Sequence, residues 1–354
     1  MKEKVLMAMS GGVDSSVTAL LLKEAGYDVV GVTMCLGIAT QGKRAKCCGY
    51  EAIEDAKSVC RKLGIPHYVF DFSSELEKHV IGYFIDEYRR GRTINPCIEC
   101  NSQLKFSLLL NKALVWGFDF LATGHYAVAE KRGDQYFLKK PKDKRNDQTY
   151  FLYLIPYEKL SHILFPSACL TKEEVKDIAK KNSLPVAEKK ESQDLCFVPN
   201  KRYQDFLRER GLKSELGPIV SREGETLGTH RGIIFFTVGQ RGGLGVSHSQ
   251  PLYVVSIEAH QNKVVIGRKK DLMAKGLRVN NINMLIPTWP TEVSAKIRYR
   301  KREAPCIVVP DNNGLLVTFL EEQDAITPGQ AVVFYSNDCL LGGGTIEEVL
   351  RGHN

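Results

Sequence analysis

Residues Ser10-Gly11-Gly12-Val13-Asp14-Ser15-Ser16 lie between an apolar run, Lys4 to Met9, and a stretch from Ser15 to Ala25 that carries Val17, Leu20, Leu21 and Leu22 at helical spacing. A strand, a two-glycine turn and a helix make the opening unit of an α/β fold. Two glycines let the backbone reverse sharply and come close to a ligand. The amides of such a turn, with the N-terminus of the following helix, form an anion-binding nest. The hydroxyls of Ser10, Ser15 and Ser16 add donors. Neither the Gly-Lys-Ser/Thr of the nucleoside-triphosphatase loop nor the G-x-G-x-x-G of the dinucleotide fold is present. A serine-capped turn would explain the glycines alone, but not the full Ser-Gly-Gly-Val-Asp-Ser string at this point in a β-α unit.

The alternation continues. Tyr27 to Met34 and Pro66 to Phe72 read as strands, and Phe118 to Thr123 as a buried one. Glu51 to Leu63 (stopped by Gly64), Ser74 to Arg90 and Leu104 to Trp116 read as helices. Strands separated by helices imply crossovers and a parallel sheet, a Rossmann-type arrangement. After about residue 205 glycines become frequent and strands short. Ile233 to Val238, Leu252 to Ile257 and Lys263 to Ile266 read as strands of a small β module. From about 278 a second series begins: Val293 to Tyr299, Cys306 to Val309, Leu315 to Phe319, Ala331 to Tyr335 and Leu341 to Val349, spaced as in a small barrel. The expected parts are 1–205, 206–277 and 278–354.

At 354 residues the chain is too long for one ordinary core. Its 43% apolar and 25% charged residues are those of a globular protein, and a net charge of +8 is compatible with a polyanionic partner. No apolar run approaches the roughly 20 residues that span a bilayer, and the start lacks the long apolar core of a signal peptide. The expected location is the cytoplasm, with no membrane contact.

Ten cysteines in such a chain point to catalysis or metal rather than a disulfide framework. Cys35, Cys60, Cys169, Cys306 and Cys339 sit among apolar neighbours and read as small buried hydrophobes. Cys97 and Cys100 form a C-x-x-C in Asn95-Pro96-Cys97-Ile98-Glu99-Cys100-Asn101, expected in the turn before the Leu104 helix, whose N-terminus would favour a thiolate. Cys196 follows much later, in Ser192-Gln193-Asp194-Leu195-Cys196-Phe197. Such a set can bind metal, act as a redox pair or supply a nucleophile. A closed zinc site needs four ligands, and no second C-x-x-C exists. Cys47-Cys48 is a vicinal pair in a Gly/Lys-rich loop, readable as a fourth ligand, a sulfur acceptor or a plain loop feature, the last being the stronger reading. The string Lys296-Ile297-Arg298-Tyr299-Arg300-Lys301-Arg302, read as a strand, would put Lys296, Arg298, Arg300 and Arg302 on one face as a phosphate track. Charge protection of a strand edge would explain it equally well. Lys139, Lys140, Lys142, Lys144 and Arg145 form a second basic loop, for which simple solvation is the stronger reading.

Taken together these strings resemble the tRNA-specific 2-thiouridylases, PP-loop enzymes that exchange the C2 oxygen of the wobble uridine for sulfur. The likeness runs the length of the chain. Besides the glycine loop it includes Gly31-Val32-Thr33-Met34, the C-x-x-C with Lys105-Phe106, Ala122-Thr123-Gly124-His125-Tyr126 and Asp147-Gln148-Thr149-Tyr150-Phe151, then Thr237 to Arg241, Lys296 to Arg300, and Thr327-Pro328-Gly329-Gln330. The resemblance implies a PP-loop domain, a small central domain and a C-terminal β-barrel. It implies that Ala8, Met9, Ser10, Gly11, Gly12, Val13, Asp14, Ser15, Met34 and Gly124 bind ATP, with Asp14 helping to place Mg2+. Cys100 would be the catalytic cysteine beside the target base and Cys196 the carrier of a persulfide. His125, Asn146, Asp147, Gln148, Arg298, Tyr299 and Gln330 would contact tRNA of the lysine, glutamate and glutamine isoacceptors. A cysteine desulfurase or sulfur-relay protein would supply sulfur. Two positions depart from the pattern. Cys97 stands where many members carry aspartate, and Asn146 where lysine is usual. The first departure resembles a subgroup in which three cysteines, here Cys97, Cys100 and Cys196, hold an iron–sulfur cluster of the 4Fe-4S type. The rival readings are a PP-loop enzyme acting on a small molecule, a non-catalytic RNA-binding protein, and a structural zinc protein.

Overall fold

The computed structural model describes residues 2–37, 49–190, 195–198, 202–312 and 314–351. Cys47 and Cys48, and the string Ser192-Gln193-Asp194, lie outside the described residues. In chain order the first elements are β1 (Lys4–Ala8), α1 (Val13–Glu24), β2 (Asp28–Cys35), α2 (Tyr50–Leu63) and β3 (His67–Asp71). Then come α3 (Ser73–Leu76), a π-helical turn Glu77–Ile81, α4 (Gly82–Arg89), α5 (Pro96–Glu99), a π-helix Cys100–Leu109 and α6 (Leu110–Val115). β4 (Phe120–Ala122), β5 (Val128–Arg132), β6 (Gln135–Lys139), β7 (Ile163–Leu164) and α7 (Lys172–Lys181) complete this part.

The contacts divide the chain into two compact units. One comprises Met1–Val80, Cys97–Pro199 and Asp338–Leu341; the other comprises Ile81–Pro96, Asn200–Asn337 and Gly342–Asn354.

The first unit is built on a parallel sheet of order β3-β2-β1-β4-β7. Met7 of β1 sits in register with Gly31 of β2 on one side and Ala122 of β4 on the other. Central β1 is covered on both faces, so Val5, Leu6 and Met7 are all at or below 1% exposure and the strand reads as a continuous apolar run. Burying each such side chain contributes about 1.5–3 kcal/mol. Val17 and Leu20 of α1 and Ala56 and Val59 of α2 close over the sheet in one core. Gly64 ends α2 in the left-handed region (φ 62°), with basic Arg61 and Lys62 in the last turn. Thr171 and Glu174 form a reciprocal capping box at the start of α7. The hairpin β5–β6, which the sequence pattern does not signal, pairs through Leu138 and Lys139 with Leu340 and Cys339.

The second unit contains α8 (Tyr203–Glu209), β8 (Gly217–Val220), β9 (Thr226–His230), β10 (Tyr253–Glu258) and β11 (Lys263–Gly267). The four strands form a sheet of order β10-β11-β8-β9. Six longer strands follow: β12 (Met273–Met284), β13 (Glu292–Lys296), β14 (Ala304–Asp311), β15 (Gly314–Asp324), β16 (Ala331–Ser336) and β17 (Cys339–Leu350). They run in the order β12-β15-β14-β13-β16-β17, and β12 pairs with β17 to close a barrel. The α/β, small β module and β-barrel expected from the sequence are thus all present.

Two expectations fail here. Ile233–Phe235 is a 3-10 turn, not a strand. Ile233, Phe235 and Phe236 lie across the apolar side of the β8–β11 sheet with Ile219, Val254 and Val264, so their burial comes from packing rather than pairing. Strand β13 stops at Lys296, and a turn bond from Lys301 N to Arg298 O (3.1 Å) reverses the chain, so the basic string has no common strand face.

Candidate active site

The glycine loop joins β1 to α1 as expected. Gly11 has φ +70°, and a Cβ there would stand 2.3 Å from the carbonyl oxygen of Ala52 in α2, so only glycine fits. The serines order the turn. Ser10 N donates to Ser15 Oγ (3.2 Å), Ser15 Oγ donates to Gly12 O (3.1 Å), and Ser16 Oγ donates to the same carbonyl (2.8 Å). Gly124, just after β4, lies against the start of α1: a Cβ would meet Ser15 N at 2.8 Å and Asp14 C at 3.0 Å. Met9 is tied to β2 by Met9 N to Val32 O (2.7 Å) and Thr33 Oγ1 to Met9 O (3.0 Å), next to Met34. Loop residues Ala8 to Ser15 and Gly124 are therefore brought together at the carboxyl ends of central parallel strands, where open α/β sheets bind ligands.

Asp14 is not left open. Lys172 Nζ donates to both its carboxylate oxygens at 2.7 Å, and Tyr126 Oη donates to Oδ1 at 2.8 Å. Nothing in the local sequence pointed to Lys172, which arrives from a helix far downstream.

The C-x-x-C lies in the helix itself rather than in a turn before it. Pro96 begins α5, where its fixed φ and missing N–H cost nothing, and Cys100 opens the π-helix. A π-helix of this length is rare and frequent at functional sites. Asn101 holds its start by donating to Phe151 O (3.2 Å) and accepting from Lys105 Nζ (2.8 Å). Cys97 and Cys196 reach solvent and Cys100 does so partly. Protein nonetheless surrounds them closely enough for desolvation to raise all three thiols, Cys196 to about 12. The thiols of Cys100 and Cys97 raise Cys196 further, and Lys105 opposes the shift at all three. This corrects the expectation of a helix-stabilised thiolate: burial outweighs the helix terminus. The same charge effect puts Cys196 within electrostatic reach of Cys97 and Cys100. Among the described residues no three His, Cys, Asp or Glu side chains converge on one point.

His125 accepts or donates a bond with Thr123 Oγ1 through Nδ1 (2.8 Å) and packs among Phe106 and Phe165. Burial, with Lys105 nearby, pushes its pKa well below the usual imidazole range. The native ring stays neutral while an unfolded one would protonate first, so its contribution to stability is present above the ordinary imidazole pKa and lost as pH falls through it. The melting temperature of the wild type is expected to drop between about pH 7 and about pH 5.5, and that of His125→Gln to drop less.

The other expected site residues fall in both units. In the first, Asn146 Nδ2 donates to Asp143 Oδ2 (2.8 Å), and buried Asp147 accepts from Thr149 N and Oγ1 (2.9 and 2.6 Å). Gln148 bonds the backbone of Tyr126 at both ends. The second basic loop is largely neutralised, with Lys139 on Glu130, Lys142 on Glu174, Lys144 on Asp338 and Arg145 on Glu173. In the second unit Arg298 Nη2 turns inward to Val238 O (3.0 Å) and Thr327 Oγ1, and Gln330 Nε2 donates to Thr93 O (2.8 Å). Lys296 lies over the ring of Tyr299 at 5.4 Å. Of the five cysteines read as buried, Cys60 and Cys306 are, with pKa pushed to about 11 and about 12 by burial. Cys169 is exposed, because its 3-10 turn buries Ser167 and Ala168 instead.

A glycine loop on a parallel sheet, with a thiol cluster in the same unit and a barrel following, defines an α/β nucleotide-binding protein of the HUP class. Family models agree: residues 3–200 match the tRNA methyl transferase HUP domain, 204–268 the tRNA methyl transferase PRC-barrel domain, and 274–346 the aminomethyltransferase beta-barrel domain. The chain is 56% identical to tRNA-specific 2-thiouridylase MnmA 1 of Syntrophus aciditrophicus, covering 100% of this chain and 95% of that one. It is 47% identical to the MnmA 2-thiouridylase of Caldicellulosiruptor saccharolyticus (99% and 100%) and 46% identical to MnmA 2 of Clostridium botulinum strain Okra (98% and 100%). The chain belongs to the tRNA-specific 2-thiouridylase family.

Proposed function

We propose that this protein is a tRNA-uridine 2-sulfurtransferase that adenylates the C2 oxygen of the wobble uridine and replaces it with sulfur. The observation that carries the reading is the glycine loop at the carboxyl ends of the central parallel strands, with Cys97, Cys100 and Cys196 in the same unit. Methyl transfer, which two of the family-model names mention, would need no pyrophosphate-binding loop.

In this reading Ala8 to Ser15, Met34 and Gly124 hold ATP. The uridine is flipped from the anticodon stack to reach the site. Its O2 attacks the α-phosphorus, the bond to pyrophosphate breaks, and the C2 oxygen becomes part of an AMP leaving group. Sulfur adds at C2 and AMP departs with that oxygen. Carried as a persulfide on Cys196, the outer sulfur bonds to C2; the thiolate of Cys100 then attacks the Cys196 sulfur, breaks the S–S bond, frees the 2-thiouridine and leaves a Cys100–Cys196 disulfide for an external thiol to reduce. A neutral His125 can donate or accept one hydrogen bond near the uracil without adding charge. Residues 1–205 would carry the chemistry, 206–277 the small central domain and 278–354 the barrel that meets tRNA. Asn146, Asp147, Gln148, Arg298, Tyr299 and Gln330 would contact tRNA of the lysine, glutamate and glutamine isoacceptors. The protein would work in the cytoplasm with a cysteine desulfurase or relay protein.

Magnesium at Asp14 does not fit these residues, because Lys172 already neutralises that carboxylate. An iron–sulfur cluster does fit the donor set: three soft thiols whose ionisation is opposed by burial and by one another become thiolates only against a positive centre. Cys97, Cys100 and Cys196 would hold it, and with three protein ligands it would supply an open iron able to bind sulfide.

The test is an anaerobic reaction of the protein with ATP, a sulfide source and unmodified tRNA, followed by nucleoside mass spectrometry and iron counting. The expected products are 2-thiouridine at the wobble position with equal AMP and pyrophosphate, and iron that is lost in Cys97→Ala. ATP turnover without change to the tRNA would overturn the function. Iron-free wild-type protein that reaches full activity once a persulfide donor replaces sulfide would remove the cluster and leave a persulfide relay through Cys196 and Cys100.

A further inference from the structure

The engagement of Asp14 raises a question of purpose. Lys172 spends a long side chain, with only 9% of it exposed, to reach a carboxylate on another element. That costs rotamer freedom and desolvation, and α7 does not need it for its own start, which Thr171 and Glu174 already cap.

The two residues that hold Asp14 also hold the turn that carries Asn146 and Gln148. The backbone N–H of Lys172 donates to Asp143 Oδ2 (3.1 Å), the oxygen that accepts from Asn146 Nδ2. Asp143 Oδ1 accepts from Arg145 N (3.1 Å), so both oxygens of this carboxylate brace the turn. Tyr126, only 1% exposed, repeats the connection by another route. Its N–H donates to Gln148 Oε1 (3.0 Å), and its carbonyl accepts from Gln148 N (3.1 Å). Its hydroxyl meanwhile ends on Asp14. Two short chains of bonds, Asp14–Lys172–Asp143–Asn146 and Asp14–Tyr126–Gln148, thus start on one carboxylate and finish on neighbouring residues of one turn. The lysine ammonium lies 5.5 Å from the centre of the tyrosine ring, so the routes also touch each other. Every member belongs to the first unit.

We propose that Lys172 and Tyr126 are positioning residues that couple occupation of the ATP loop to occupation of the tRNA-contacting turn. The inference rests on the functional reading above, which assigns ATP to the loop and RNA to the turn. A ligand that shifts the helix start moves Asp14, and both tethers transmit that movement to Asn146 and Gln148. By linkage the effect is mutual: tRNA that orders the turn tightens the grip on ATP by the same factor. Adenylation is thereby favoured when the acceptor base is present and wasteful ATP cleavage is restrained.

The experiment measures the affinity of a non-hydrolysable ATP analogue, with and without saturating unmodified tRNA transcript, for the full-length wild type, Lys172→Met, Lys172→Arg and Tyr126→Phe. In the wild type, tRNA is expected to tighten the analogue by about fivefold or more. In Lys172→Met the ratio is expected to fall close to one, with partial recovery in Lys172→Arg. Tyr126→Phe removes one hydroxyl from a buried ring, preserves packing and is expected to at least halve the ratio, so it carries the test if the lysine variant does not fold. A wild type that binds both ligands with no coupling, or variants that keep the wild-type ratio, would overturn this inference alone. A wild type that binds no ATP analogue or no tRNA would remove the functional reading and the inference with it.

Discussion

Replacing Cys196 by alanine is expected to lower 2-thiouridine formation by at least about 1,000-fold while leaving the affinity for ATP within about twofold of the wild type. The reason lies in the division of the site. The glycine loop draws its geometry from Gly11, Gly12, the serines and Gly124, none of which depends on a thiol. In the proposed reading the sulfur chemistry depends on the three cysteines, all raised by burial and Cys196 to about 12. A thiol that resists ionisation is a poor nucleophile by itself. It needs either a sulfur already loaded on it or a positive centre that takes its proton's place, and alanine permits neither. Single-turnover thiolation measured by nucleoside mass spectrometry, with ATP binding measured by calorimetry, checks the pair of outcomes. Retained thiolation would show that sulfur reaches the base without this side chain.

The second large effect is expected at Gly124. An alanine methyl would stand 2.8 Å from Ser15 N and 3.0 Å from the carbonyl carbon of Asp14, both backbone atoms that no rotamer change can move aside. Overpacking of this kind costs about 1–3 kcal/mol. The strain falls on the start of α1, so Gly124→Ala is expected to weaken ATP binding by roughly five- to 150-fold. Gly11→Ala adds a left-handed φ of +70° to a contact of 2.3 Å with Ala52 O, and is expected to lower the melting temperature as well. Titration calorimetry and thermal unfolding separate the two. ATP binding unchanged in Gly124→Ala would mean that the nucleotide does not use this part of the loop.

The parts of the molecule governed by local rules could be read in advance. The glycine loop, the strand-helix alternation and the closing series of short strands follow from period, turn chemistry and burial on two faces. The failures share a cause, which is that distant partners decided the outcome. Pro96 begins a helix that the polar run Asn101-Ser102-Gln103 disguised, and Asn101 earns its place by bonding Phe151 and Lys105. Ile233 to Phe235 seemed a strand, but packing against Ile219, Val254 and Val264 holds it as a 3-10 turn. The C-x-x-C looked primed by a helix terminus, and the protein around it reversed the sign. Lys172 carried no local mark of its role, since its partner lies 158 residues away in the sequence.

The interleaving of the two units has a consequence for how the polypeptide is made. Strand β6 receives Leu340 and Cys339 as its neighbours, and these lie far downstream of it in the chain. Residues Ile81–Pro96, made early, belong to the unit whose strands are nearly all made late. Neither unit can therefore be finished from one continuous stretch of chain, and a nascent chain must wait with an open hairpin edge until Cys339 and Leu340 have been made. A chain cut between the two halves would yield fragments that each lack a piece of themselves, the first without its Asp338–Leu341 segment and the second without Ile81–Pro96.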